Sequence, residues 1–158
     1  MTPTIRLAKI HHGEMEGLPD GDATQTAVEL CMLARFAMTN ADFPTAERYL
    51  AKAIERAPLD FVANFHVGVL ALRQKQHHRA IEAFSYCLGL DSTAECFLLR
   101  GEARAALGDT DAALRDFNIA IEKNAEFALA YEERANLHEK LGRVELARKD
   151  RERAGTLR

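Results

Sequence analysis

The sequence predicts an all-α solenoid of four consecutive helix pairs, and three observations carry that expectation. Gly and Pro are scarce, nine and four among 158 residues, while helix formers such as Ala, Leu, Glu and Arg abound. The stretch at 100–124, RGEARAALGDTDAALRDFNIAIEKN, reads as two short helices joined by a tight turn at Leu107-Gly108-Asp109. The same pattern recurs before and after it at a nearly constant spacing, the mark of a repeat array.

In chain order, residues 1–22 (MTPTIRLAKIHHGEMEGLPDGD) mix Pro, Gly, His and acidic residues without helical periodicity. They read as an N-terminal arm, either disordered, as loose termini commonly are, or docked on the body through Ile5, Leu7 and Ile10. Residues 23–158 read as a single domain, since the chain is long enough for one sizeable core and too short for two. Helical order begins near Thr26, which forms a T-x-x-E capping box with Glu29. Four segments then align: 27–60, 61–93, 94–127 and 128–158.

Each segment has a small residue in its first helix, Ala34, Gly68, Gly101 and Ala135, and an Ala near the start of its second, Ala46, Ala80, Ala113 and Ala147. Seven positions on stand Ala53, Cys87, Ala120 and Ala154. Small side chains at these spacings let paired helices approach closely, where larger ones would overpack. Between the last two small positions comes a bulky residue, Leu50, Phe84 or Phe117, expected to fill the junction with the next helix pair. In the last segment Arg151 takes that place, within the charged run RKDRER, which suits a polar outer cap.

This pattern resembles the tetratricopeptide repeat family. The repeats run 34, 33 and 34 residues before a shorter last copy, Ala80-x3-Phe84 and Ala113-x3-Phe117 match the middle of the motif, and Pro58 closes the first repeat. Ser92 and Ala125 stand where Pro is usual, and Ala37, Ala71, Arg104 and His138 replace the aromatic common late in the first helix; the packing positions survive. The resemblance covers about five-sixths of the chain. It implies a right-handed superhelix whose first helices line a concave face.

By that alignment the inner stripe reads Val28, Cys31, Arg35 and Met38 in the first repeat and Val62, Phe65, Val69 and Leu72 in the second. It continues with Glu95, Leu98, Glu102 and Ala105, then Leu129, Glu132, Asn136 and Glu139. The stripe is apolar in the first two repeats and acidic in the last two. The expected work is non-catalytic protein binding, as an adaptor, scaffold or chaperone, on a partner segment that combines apolar anchors with Lys or Arg. A competing expectation is self-association as a homodimer or structural module, or cover of the stripe by the arm, because monomers seldom leave a contiguous apolar patch bare. The chain also resembles the type III secretion translocator chaperones in length, arm and apolar groove, although those have three repeats. The heat-shock co-chaperones, which grip an acidic C-terminal tail with Lys, Asn and Arg, are a poorer match. Here Cys31, Arg35, His66, Glu95 and Leu99 hold the corresponding places, and Glu95 repels a carboxylate.

Composition excludes several classes. A net charge of -3 and a pI near 6.1 offer no global attraction for nucleic acid or an anionic membrane. No stretch approaches the ~20 apolar residues of a spanning helix. Cys31, Cys87 and Cys96 are an odd number without metal-ligand spacing; they fall within helical patterns and read as reduced thiols of a cytoplasmic protein. No secretory signal is expected, since residues 1–25 hold no long apolar run. His11, His12, His66, His77, His78 and His138 belong to no familiar motif, so neither a metal nor another cofactor is expected. There is no nucleophile elbow, P-loop, H-E-x-x-H or dinucleotide fingerprint. Glu132 and Glu133, adjacent on one helix, diverge too far to act as an acid–base pair. The protein is not expected to be an enzyme.

Overall fold

A computed structural model describes residues 25–158. The expected arm at 1–22 lies outside the described residues. Eight helices follow one another: α1 (Ala27–Thr39), α2 (Phe43–Arg56), α3 (Phe61–Arg73), α4 (His77–Leu90), α5 (Ala94–Ala106), α6 (Thr110–Lys123), α7 (Ala128–Lys140) and α8 (Val144–Thr156). Each helix packs on the next, giving the four expected pairs. Successive first helices also touch, α1 with α3, α3 with α5 and α5 with α7, whereas successive second helices do not. That asymmetry curves the array, with the odd-numbered helices inside the bend and the even-numbered ones outside.

Local chemistry sets the ends of the helices. The capping box forms in both directions: the Glu29 N–H donates to Thr26 Oγ1 at 3.2 Å, and the Thr26 N–H donates to Glu29 Oε2 at 2.8 Å. Asp42, Asp60, Thr93 and Asp109 cap α2, α3, α5 and α6 by accepting from the backbone N–H three residues on. Every turn inside a pair holds one left-handed residue: Ala41 (φ 58°), Lys75 (φ 58°), Gly108 (φ 82°) and Gly142 (φ 71°). Each turn is closed by the same bond, in which the N–H of Asp42, Gln76, Asp109 or Arg143 donates to the carbonyl of Ala37, Ala71, Arg104 or His138. The bond closes the last turn of the first helix and reverses the chain in the same way four times.

The repeated small positions form the spine of the core. All twelve are buried. Leu50, Phe84 and Phe117 are also buried, at 1%, 0% and 1% exposure. Phe84 shares its core with Cys96 and Ala103 of the next pair, as expected, but its ring also seats back on the glycine of its own pair. A methyl at Gly68 would stand 2.7 Å from Phe84 Cε1, and one at Gly101 would stand 2.6 Å from Phe117 Cε1. Where the bulky residue is Leu50 or Arg151 the opposing residue is alanine, Ala34 or Ala135; where it is Phe, only glycine leaves room.

A second interlock repeats in the C-terminal half. Asp116, 1% exposed, receives two bonds from Arg100, at 3.0 and 2.8 Å, and a third from Arg104 at 2.7 Å. Arg100 also donates to Ser85 Oγ on α4 at 3.1 Å, so it ties α4, α5 and α6 together. One repeat later Arg134 binds Asp150 at 2.8 and 2.6 Å and Asn118 of α6 at 2.7 Å. The corresponding places one repeat earlier hold Val67 and Ala83, so the interlock has no counterpart there.

Candidate partner-binding groove

The first helices lie inside the curve, so their inward residues form the candidate surface. The structure divides the expected stripe in two. Cys31, Met38 and Leu98 are buried, at 3%, 4% and 1% exposure, in the seams where successive first helices touch. Phe65, Val69 and Leu72 are half-buried and pack against the core around Phe84; Phe65 meets Phe84 edge-to-face with ring centroids 5.8 Å apart. Helical periodicity alone does not separate a residue facing the groove from one facing the neighbouring first helix. What remains accessible is Val28 (65%), Val62 (48%) and Leu129 (43%), together with Arg35, Glu95, Asn136 and Glu139; Glu102 and Glu132 are half-buried.

The electrostatics differ between the two halves. In the N-terminal half, burial lowers the pKa of His66, and the neighbouring Arg35 guanidinium lowers it further, with Asp60 opposing. The Cys31 thiol is pushed up to about 11 by burial and by the charge of Asp60. Arg73 reaches across from the end of α3 to donate to the Met38 carbonyl at 2.9 Å, satisfying a C-terminal carbonyl of α1.

In the C-terminal half the acidity is partly spent internally. Glu139 pairs with Arg151 and Glu132 with Arg158. The basic run expected to act only as a solvated cap therefore supplies one of the counter-ions to the stripe. Among the described residues Glu102 and Glu133 have no such partner. The Glu102 carboxyl is pushed up to about 7, first by burial and then by the charge of Glu133. Sequence reasoning missed Glu133, placing it only as the neighbour of Glu132; its signal was its position one helical turn from the expected Asn136 and Leu129. Of two surface depressions of about 480 Å³, one runs along α8 and reaches the stripe at Glu139, and the other lies away from it, between α2, α3 and α4.

Among the described residues no set of three or more His, Cys, Asp or Glu side chains is placed to hold a metal ion, and no helix is long and apolar enough to cross a membrane. A family model described as tetratricopeptide repeat matches residues 31–95 and 98–154. In fold the chain is similar to MamA 41-end from Desulfovibrio magneticus RS-1, with a TM-score of 0.76 and 15% identity over 83% of this chain and 75% of that one. It is also similar to a chain of the APC/C hetero-tetramer Cut9–Hcn1, with a TM-score of 0.77 and 19% identity over 84% of this chain and 27% of that one. The first TPR of Spaghetti, bound to the HSP90 peptide SRMEEVD, aligns with a TM-score of 0.70 and 20% identity over 75% of this chain and 94% of that one. At these identities the likeness is one of fold. No curated protein matches the sequence.

Proposed function

Because the chain belongs to the tetratricopeptide repeat family, we propose that it is a non-catalytic protein-binding module, an adaptor or chaperone, holding a partner segment along its inner face. The segment places apolar side chains against α1 and α3 and a Lys or Arg against α5 and α7. The observation that carries this reading is the couple of Glu102 and Glu133. A carboxyl held at about 7, with no cation paired to it among the described residues, is best satisfied by a cation from outside. The same charges disfavour an acidic tail of the kind Spaghetti holds. The three free thiols, all buried, support a cytoplasmic setting.

Fluorescence anisotropy tests this reading with a labelled Leu–Lys peptide and its Leu–Glu counterpart. The basic peptide should bind, and more tightly as pH rises through about 7, because its cation displaces the Glu102 proton. Glu102→Gln with Glu133→Gln should weaken binding about 10-fold and flatten that pH dependence. Val62→Glu should weaken binding and leave the pH dependence in place. Equal binding of the Leu–Glu peptide, or no effect of the glutamines, overturns the reading. Phe65→Glu is unsuited to this test because the ring packs on Phe84.

One observation favours self-association as a second reading. Val28, Met32 and Phe36, spaced four apart on α1, are 65%, 58% and 37% exposed. Light scattering of the full chain against Met32→Glu separates the two: a dimer abolished by the substitution supports this second reading, and a monomer in both removes it.

A further inference from the structure

Two of the three thiols meet in the core. Cys87 lies in the last turn of α4 and Cys96 in the first turn of α5, on either side of the linker at 91–93. Both are 0% exposed and belong to one core cluster with Phe84 and Ala103, near enough for each to bias the ionisation of the other. Cys87 Sγ also lies 3.9 Å from the Phe61 carbonyl oxygen. Cys31 belongs to a different part of the core, among α1, α2 and α3. We propose that Cys87 and Cys96 are an oxidisable dithiol, a modification site at which a peroxide closes a disulfide across the boundary between the second and third repeats.

The two cysteines are unequal. Cys96 stands in the first turn of a helix, where exposed N–H groups and the helix dipole favour a thiolate. Its pKa is lowered, foremost by the contact with Cys87 and also by Thr93, against the effect of burial. That of Cys87 is raised by the same contact and by burial. Cys96 is therefore the nucleophile. Its thiolate attacks one oxygen of hydrogen peroxide; an S–O bond forms, the O–O bond breaks, and the departing hydroxide takes up a proton to leave as water. The product is a sulfenic acid on Cys96. Cys87 then attacks that sulfur: the S–S bond forms, the S–O bond breaks, and a second water carries off the Cys87 proton. Two thiols lose two electrons, and one peroxide becomes two waters. Access comes through the short linker, whose Asp91 and Ser92 are exposed and whose opening moves only the ends of two helices.

The linked helices meet where the inner stripe passes from Leu72 and Val69 to Glu95 and Glu102, so the disulfide fixes the apolar half of the groove relative to the acidic half. Peroxide treatment of the full chain, followed by Glu-C digestion, tests the site. Cleavage after Glu95 separates the cysteines into two peptides that stay joined only if the bond has formed. The expected result is a single species about 2 Da lighter, linked 87 to 96, with Cys31 still free and helicity retained. Its Tm should rise by about 5 °C, reversed by dithiothreitol. Cys87→Ser should instead trap Cys96 as a sulfenic acid that a dimedone probe captures. Three free thiols after treatment, a bond involving Cys31, intermolecular linkage, or a link formed only with loss of helicity each overturn the proposal.

Discussion

Gly101→Ala sets two ordinary effects against each other. In an exposed helix the change would be stabilising by about 1 kcal/mol, because alanine is the better helix former. Here the added methyl stands 2.6 Å from Cε1 and 2.8 Å from Cδ1 of Phe117, and 3.2 Å from Cβ of Asp116. Neither neighbour gives way easily. Phe117 is 1% exposed in a filled core, and Asp116 is held by two arginines. Overpacking of this kind costs about 1–3 kcal/mol, so the net effect is a loss of up to about 2 kcal/mol. Tm should fall by up to about 8 °C in calorimetry or circular dichroism. The companion variant Gly101→Ala with Phe117→Leu recreates the pairing of Ala34 with Leu50 in the first repeat. Its loss should be smaller than the sum of the two single losses by about 1 kcal/mol or more. A single variant that melts above the parent, or strictly additive losses, would refute the reasoning.

The remaining predictions concern charge. Asp116→Ala leaves Arg100 and Arg104 without their buried partner and should cost about 3 kcal/mol in urea denaturation, while Glu47→Ala, which breaks the exposed pair with Arg79, should change stability little. Glu102, held at about 7 in the folded state and near 4.5 when unfolded, keeps a proton in the native protein that the unfolded chain has released. Its contribution to stability therefore falls as pH rises from about 4.5 to about 7 and is constant above that. Urea titrations across that range should show this slope, and Glu102→Gln should remove it.

The fold was legible because packing wrote itself into residue size. Ala46, Ala80, Ala113 and Ala147 sit at one structural position because a larger side chain there pushes a helix pair apart. The glycine turn at Gly108 was equally readable; Ala41 and Lys75 hid the same backbone conformation behind residues that rarely adopt it. The interlock went unread because arginines and aspartates on helices usually face water. Its signal was present nonetheless, since Arg100 and Asp116 recur as Arg134 and Asp150 at the same spacing, one repeat on. The candidate groove was only half legible. A stripe at helical spacing names the residues on the inner side of each helix, but the approach of one first helix to the next decides which of them stay accessible. That approach buries Cys31, Met38 and Leu98 and leaves Val62, Asn136 and Glu139 in reach of a partner.

The uneven placement of the Arg–Asp interlock makes this array mechanically lopsided. In a one-dimensional stack each unit is held chiefly by its neighbours, so resistance to opening is set by the couplings between units rather than by a shared centre. Arg100 and Arg134 each rivet three helices near the C-terminal end, whereas Val67 and Ala83 offer only contact, and the first two turns carry the backbone strain of Ala41 and Lys75. The ties of the first two pairs are of another kind, Arg73 on the Met38 carbonyl and the exposed pair of Arg79 with Glu47. A ligand seated across α1 and α3 therefore does more than occupy a groove: it adds a brace between helices of the kind that Arg100 makes further along.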